Sequence, residues 1–148
     1  MRSWMVNPLI LCQKHILGEH AEHHMFCGTF RKRLNIQGYI DNNLLEPLAI
    51  PQRHDVLAFD LIRRQRFKNN GSIKNEHKTW IDHDGYVENL INYLSESQKY
   101  HKINVENALY TLMSRCDLCK ERLNQLLQYD WFDPYDSYFI AHDYSIIS

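Results

Sequence analysis

The first two residues and a carboxylate about one helix-length further on could do chemistry together. Arg2 follows Met1, and methionine aminopeptidase needs a small second residue, so Met1 is expected to stay in place with a free α-amine. α-Amines as a class titrate near about 7.7–8.0, against about 10.4 for lysine side chains, so a free N-terminus is the most available amine nucleophile at neutral pH. Further on the chain reads His15-Ile16-Leu17-Gly18-Glu19-His20-Ala21-Glu22-His23-His24. In a helix from Gln13 to about Lys32, His15, Glu19, Glu22 and Phe26 would share one face. A carboxylate beside an amine supplies what imine chemistry needs. The amine attacks an electrophilic sugar carbon, and the acid moves a proton and stabilises the developing cation. The same pattern also suits an exposed Glu/His face. Glu19, one turn after His15, could fix that imidazole's tautomer or form a surface pair.

The four cysteines, Cys12, Cys27, Cys116 and Cys119, allow a competing chemistry. Cys116-Asp117-Leu118-Cys119 is a CxxC pair, and Cys12-Gln13-Lys14-His15 has the spacing of a second half-site. Together they would make a Cys3His zinc centre. A second grouping, His20, His23, His24 and Cys27, has helical ligand spacing. Against both stands the use of thiols as small apolar packing groups inside a helix. The amine route needs neither metal nor cofactor.

These residues must be positioned by elements legible in the pattern. Asn7-Pro8 suits a turn or first helical turn. The Gln13–Lys32 helix carries apolar Ile16, Leu17, Met25 and Phe26, interrupted by Gly18 and polar groups. The stretch from Ile36 to Leu48 reads as loop or short extended structure. A helix beginning at Pro51 places Val56, Leu57, Phe59, Leu61 and Ile62 beside a basic end near Arg66. Asn69-Asn70-Gly71-Ser72 marks a turn or link, and Val87, Leu90, Ile91 and Leu94 repeat at helical spacing. One last helix is predicted from about Val105 to Leu127, followed by an aromatic tail. With few alternating segments, the fold class is mostly α, and 148 residues suit one domain spanning 1–148.

Composition narrows the function classes. With 44% hydrophobic and 24% charged residues the chain is globular rather than disordered. Its apolar runs are too short to cross a bilayer, and no secretion signal is evident, so a cytoplasmic protein without a membrane partner is expected. A net charge of −1 gives no global nucleic-acid signature. Local basic clusters do occur, at Arg31-Lys32-Arg33 and at Arg63-Arg64-Gln65-Arg66-Phe67-Lys68. Each reads either as a phosphate-binding patch or as a solvated helix end.

Met1-Arg2-Ser3-Trp4, the run Leu11-Cys12-Gln13-Lys14-His15-Ile16-Leu17-Gly18-Glu19-His20-Ala21-Glu22, and Arg53-His54-Asp55-Val56-Leu57 resemble the pyrimidine-dimer DNA glycosylase family. The resemblance covers roughly residues 1–66, with weaker echoes in the last helix and tail, and residues 69–103 read as a family-divergent insertion. It implies a compact helical fold with a long first helix and an aromatic-rich C-terminal tail. It also implies a DNA repair glycosylase with abasic-site lyase activity, passing through a Schiff base before β-elimination cuts the strand. Its partner would be double-stranded DNA carrying a damaged or modified base. The catalytic positions match Met1 and Glu22. Arg2, His15, Arg31, Arg33, Arg53 and His54 would be DNA-binding or orienting residues, and for Arg53 and His54, at the start of the second helix, bracing of the active site or an ion pair with Asp55 or a neighbouring acid fits equally. Ala21 and Met25 stand where the family's phage enzyme carries phosphate-holding arginines, so the lesion recognised could differ from a pyrimidine dimer. Trp131 and Tyr135 could stack on exposed bases or pack in the core. A non-catalytic nucleic-acid or protein-binding module on the same scaffold, with structural zinc, is the alternative.

Overall fold

An N-terminal segment whose one regular element is a 3-10 turn, rather than a long helix, forms the buried centre of the molecule. In the computed structural model, which describes residues 1–65 and 76–141 and the backbone of 68–69 and 72–73, residues 3–12 are all buried. Buried backbone polar groups need partners, and this segment finds them from several directions. Ser3 N donates to Leu44 O at 2.7 Å and Asn7 N to Pro134 O at 3.0 Å. The Asn7 side chain accepts from Leu9 N and opens the 3-10 turn Pro8–Ile10.

Two helices clasp this segment. Helix α1 (Gln13–Arg31) runs as its periodicity predicts and buries Ile16, Phe26 and Phe30 together with Glu19, His20 and His23. Helix α3 (Ile50–Arg63) carries Pro in its first turn, where a missing N–H costs nothing. It buries Val56, Leu57 and Leu61 along with Arg53, His54 and Asp60. Between them, the stretch expected as loop or extended structure contains a short helix α2 (Gln37–Asp41) and a 3-10 turn at Pro47–Ala49. Side chains stabilise that helix locally: Asn35 accepts from Gln37 N at 2.9 Å, and Gln37 donates to Asp41 at 2.8 Å. Asn43 then takes φ 60°, a left-handed conformation that asparagine tolerates better than most residues, and the chain turns back to present Leu44 O to Ser3.

A two-residue antiparallel pair, β1 (Lys68–Asn69) and β2 (Ser72–Ile73), brackets the predicted turn; residues 70–71 lie outside the described residues. Helix α4 (Trp80–Asp84) is capped by the Thr79 hydroxyl and ended by Gly85 at φ 78°. Helices α5 (Val87–Ile91) and α6 (Glu96–Lys99) follow, the latter with a Ser95/Gln98 capping box. Trp80, Val87 and Ile91 pack with Phe26, Phe30, Ile36 and Ile50 in one of the two core clusters. The other joins Trp4, Val6, Leu9, Leu11, Leu57 and Leu61 to Leu109, Leu112 and Leu126.

The single last helix expected over 105–127 is two helices, α7 (Val105–Arg115) and α8 (Asp117–Leu126). Cys116 separates them with extended backbone, φ −133° and ψ 108°, and its sulfur accepts from Cys119 N as the N-cap of α8. The apolar spacing continues through the break, so periodicity alone could not reveal it. The fold is mostly helical, and among the described residues no helix is long and apolar enough to cross a membrane.

Candidate functional site

Arg2 N donates to Glu22 Oε2 at 2.8 Å, which holds the second residue beside the α1 carboxylate expected to act with Met1. Met1, Arg2, Glu22, Asn42, Leu44, Thr111 and Arg115 line an open cleft of about 560 Å³. Arg2 and Glu22 also face a smaller recess of about 240 Å³, shared with Trp4, Lys14 and His15. The Arg2 guanidinium lies 3.5 Å over the Trp4 ring, a cation–π contact. Burial and the neighbouring Arg115 lower its pKa to about 10. Its Nε is buried without a hydrogen-bond partner among the described residues. Two guanidiniums, a carboxylate and an open surface suit an anionic, proton-exchanging ligand such as a sugar phosphate. Arg115, Thr111 and Asn42 were not singled out from the sequence, because only the α7 packing and the α2 turn bring them to residue 1.

Arg53 and Glu19 determine where this N-terminal segment lies. Arg53 Nε donates to Glu19 Oε2 at 2.6 Å and its Nη2 to Glu19 Oε1 at 3.0 Å. Its Nη1 donates to the carbonyls of Val6 and Ser137, each at 2.6 Å. Glu19 also accepts from the Ser3 hydroxyl at 3.2 Å. Burial alone would raise the Glu19 carboxyl, but the Arg53 guanidinium outweighs it and holds the pKa below the ordinary value. Arg53 is fully buried, so the expectation of a DNA contact is corrected: it orients the chain and cannot reach phosphate. Glu19, committed to Arg53, does not fix the His15 tautomer.

The other predicted residues scatter. Arg31 pairs with Asp84 at 3.2 Å, and Arg33 lies 5.2 Å from the centre of the Tyr93 ring, so neither lines the Glu22 clefts. His54 is fully buried, its Nδ1 2.8 Å from Asp55 Oδ1, which removes it as a DNA contact. Arg63 and Arg64 are neither patch nor solvated helix end: both are buried on Asp60. Arg64 also satisfies the carbonyls of Leu11 and Pro8, while Arg122 satisfies Leu9 O. Arg66 lies outside the described residues. Trp131 stacks between Tyr129 and Phe139, yet 46% of its surface is exposed, as is 46% of Tyr135.

His15 turns toward sulfur. Its Nδ1 is 3.1 Å from Cys12 Sγ and 3.6 Å from Cys119 Sγ, and Cys12 Sγ is 3.8 Å from Cys116 Sγ. A tetrahedral zinc with ordinary bond lengths sets S···S near about 3.8 Å and S···N near about 3.6 Å. All four ligand atoms lie within 4.8 Å of one another. Cys12 N and Cys119 N donate to Cys119 Sγ and Cys116 Sγ, contacts that favour thiolates. The Cys3His grouping weighed in the sequence therefore comes together, and the break at Cys116 makes it possible. Because Cys116 is an N-cap, the CxxC pair is not two thiols on one uninterrupted helix, the packing arrangement set against it.

The second grouping proposed from the sequence does not assemble. His23 faces Glu19 O and Ser3, and Cys27 faces Asp84, with burial and Asp84 pushing the Cys27 thiol up to about 11. His20 and His24 instead meet His54 and His77, all four offering ring nitrogens within 4.8 Å of one another. Burial and neighbouring imidazoles push His20 down to about 2 and His54 to about 3. No family model, curated protein or solved structure matches this chain.

Proposed function

We propose that this chain is a DNA repair glycosylase with abasic-site lyase activity, on a fold akin to the pyrimidine-dimer DNA glycosylases. The observation that carries the reading is the 2.8 Å hydrogen bond from Arg2 N to Glu22 Oε2 in an open cleft. It puts a proton-accepting carboxylate within one residue of the Met1 α-amine. The partner is duplex DNA with a damaged or modified base flipped from the stack.

In this reading the Met1 nitrogen attacks C1′ of the deoxyribose, the glycosidic bond breaks, and the base leaves with the amine's proton. Glu22 carries the second amine proton to the ring oxygen, so the sugar opens to an imine. Loss of a C2′ proton then expels the 3′ phosphate by β-elimination, and water releases the amine. Arg2 and Arg115 hold phosphate and stabilise the negative charge that develops on the leaving oxygens. Trp131 and Tyr135 remain available for stacking on an exposed base.

Borohydride trapping on lesion-containing and abasic duplexes tests this directly, using chain that begins at Met1. A covalent adduct is expected on at least the abasic duplex. Extra residues ahead of Met1 should abolish both adduct and cutting, and an extended chain that still cuts would exclude Met1 as the nucleophile.

The Cys12/His15/Cys116/Cys119 geometry favours a second reading, a non-catalytic nucleic-acid or protein-binding module folded around structural zinc. Stoichiometric zinc, unfolding on chelation and no borohydride adduct would together select it.

A further inference from the structure

The four-histidine cluster draws on three separate stretches of chain: His20 and His24 one turn apart on α1, His54 on α3, and His77 just before α4. Two of its rings are held from behind, and a carboxylate flanks a third. His54 Nδ1 lies 2.8 Å from Asp55 Oδ1, which is itself fixed by Trp80 N at 2.8 Å. His77 Nδ1 lies 2.6 Å from Lys78 O. His24 Nδ1 lies 3.5 Å from Asp84 Oδ2, and Asp84 is anchored by Arg31 and Cys27. An imidazole nitrogen facing a carboxylate or carbonyl is held as the N–H donor, leaving the lone pair on the opposite nitrogen. Carboxylate or carbonyl partners of this kind orient and strengthen histidine ligands around metals.

The consequence is sharpest between His24 and His54. Their Nε2 atoms are 3.0 Å apart, so one ring donates to the other in the metal-free chain, and with that proton displaced both lone pairs would face one point. A divalent ion placed between them would accept a lone pair from each. Tetrahedral coordination by imidazoles puts neighbouring nitrogens about 3.4 Å apart, and neutral imidazole suits zinc and its first-row neighbours over calcium or magnesium.

We propose that His20, His24, His54 and His77 bind one divalent transition-metal ion, with Zn²⁺ as the first candidate, at a site separate from the cysteine cluster. Four protein ligands close the coordination sphere, so the ion is structural. It ties the segment around His77 to α1 and α3, and thereby gives part of the 69–103 stretch a role in the fold. The proposal is independent of the glycosylase reading.

The test uses the full chain, stripped of metal and titrated with Zn²⁺ and Co²⁺. A site built only of nitrogen ligands binds Co²⁺ without the thiolate-to-cobalt charge-transfer band that a Cys3His site produces. One nitrogen-only equivalent per chain is expected, whether or not the thiolate site also fills. His24→Gln and His77→Gln should each lose it and keep any thiolate band, whereas Cys116→Ser should do the reverse. His77 is only half-buried, so that variant tests the ligand without opening the core. Asp55→Asn should keep the stoichiometry and weaken the affinity roughly 10–100-fold, as loss of a histidine-orienting carboxylate does. Absence of a nitrogen-only equivalent in the wild-type chain, or its persistence at unchanged affinity in folded His24→Gln and His77→Gln, would overturn the proposal.

Discussion

Arg53→Met tests the energetics and the positioning argument in one substitution. Methionine keeps much of the arginine stem but removes the guanidinium, which holds both Glu19 oxygens at 2.6 and 3.0 Å and two backbone carbonyls at 2.6 Å. Both side chains of the pair are 0% exposed, so water cannot replace what is lost. Among the described residues, Glu19 would keep the Ser3 hydroxyl and the Trp4 backbone as donors. Hydrogen bonds to charged groups contribute about 1.5–3 kcal/mol each, but they act as one network here. The measured cost of removing one partner from a buried pair, roughly 3–5 kcal/mol, is therefore the better figure. At about 2–4 °C per kcal/mol for a chain of this size, the melting temperature should fall by roughly 6–20 °C. Urea denaturation measures the free energy and a thermal scan the midpoint. Adding Glu19→Leu should recover most of the loss, because an apolar pair leaves no buried charge. At a temperature where Arg53→Met is still folded, borohydride trapping should fall further than the folded fraction does, since the segment leading to Met1 has lost its tethers. A cost below about 1 kcal/mol would refute the burial argument. Full trapping by the folded variant would refute the positioning one.

Glu22→Gln should slow imine formation by about 10²–10⁴-fold, the range for a lost acid/base group, while DNA affinity measured by anisotropy changes only a few-fold; an equal loss of binding would make Glu22 a structural residue. Arg115→Ala should weaken duplex binding and reduce the salt dependence by about one ion. Arg31→Ala, whose guanidinium already pairs with Asp84, should leave that slope unchanged, and the opposite ranking would move the DNA surface. Chelation, or Cys116→Ala, should lower the melting temperature by about 10 °C or more, because structural zinc contributes folding free energy outright. A melting curve indifferent to both would leave the cysteines as packing groups.

Much of the fold could be read from local pattern. Helices α1 and α3 follow from spacing and from Pro51, α5 from Val87, Leu90 and Ile91, and the mostly α class from their sum. That Glu22 and the first residues meet was expected only through the family resemblance, since spacing along α1 does not show where the entering chain lies; the contact itself is made by Arg2 N. The break at Cys116 was not legible. Val105 to Leu127 keeps its apolar period through the interruption, and only an extended backbone at Cys116, compatible with any residue type, separates two helices from one. The basic cluster beginning at Arg63 misled for a similar reason, whereas Arg31, Lys32 and Arg33 are exposed at the end of α1. Arg53, Arg63 and Arg64 look like surface cations in a list of residues, but Arg53 is buried on Glu19 and on the carbonyls of Val6 and Ser137, Arg64 on Asp60 and the carbonyls of Leu11 and Pro8, and Arg63 on Asp60 of its own helix.

What the sequence determined by itself was the chemistry on offer: an amine and a carboxylate, thiols with ligand spacing, and an unusual number of histidines. Helical periodicity then decided which of these share a face within one element, because an i, i+4 relation is fixed by backbone geometry alone. Only the tertiary structure decided the groupings between elements. It joined Cys116 and Cys119 to Cys12 and His15, and brought His54 and His77 to His20 and His24. It committed Glu19 to Arg53 and left Glu22 for the first residues of the chain. Those choices follow from burial: a charged or polar side chain inside the core must find its partner there, and the partner is supplied by whichever segment the packing delivers.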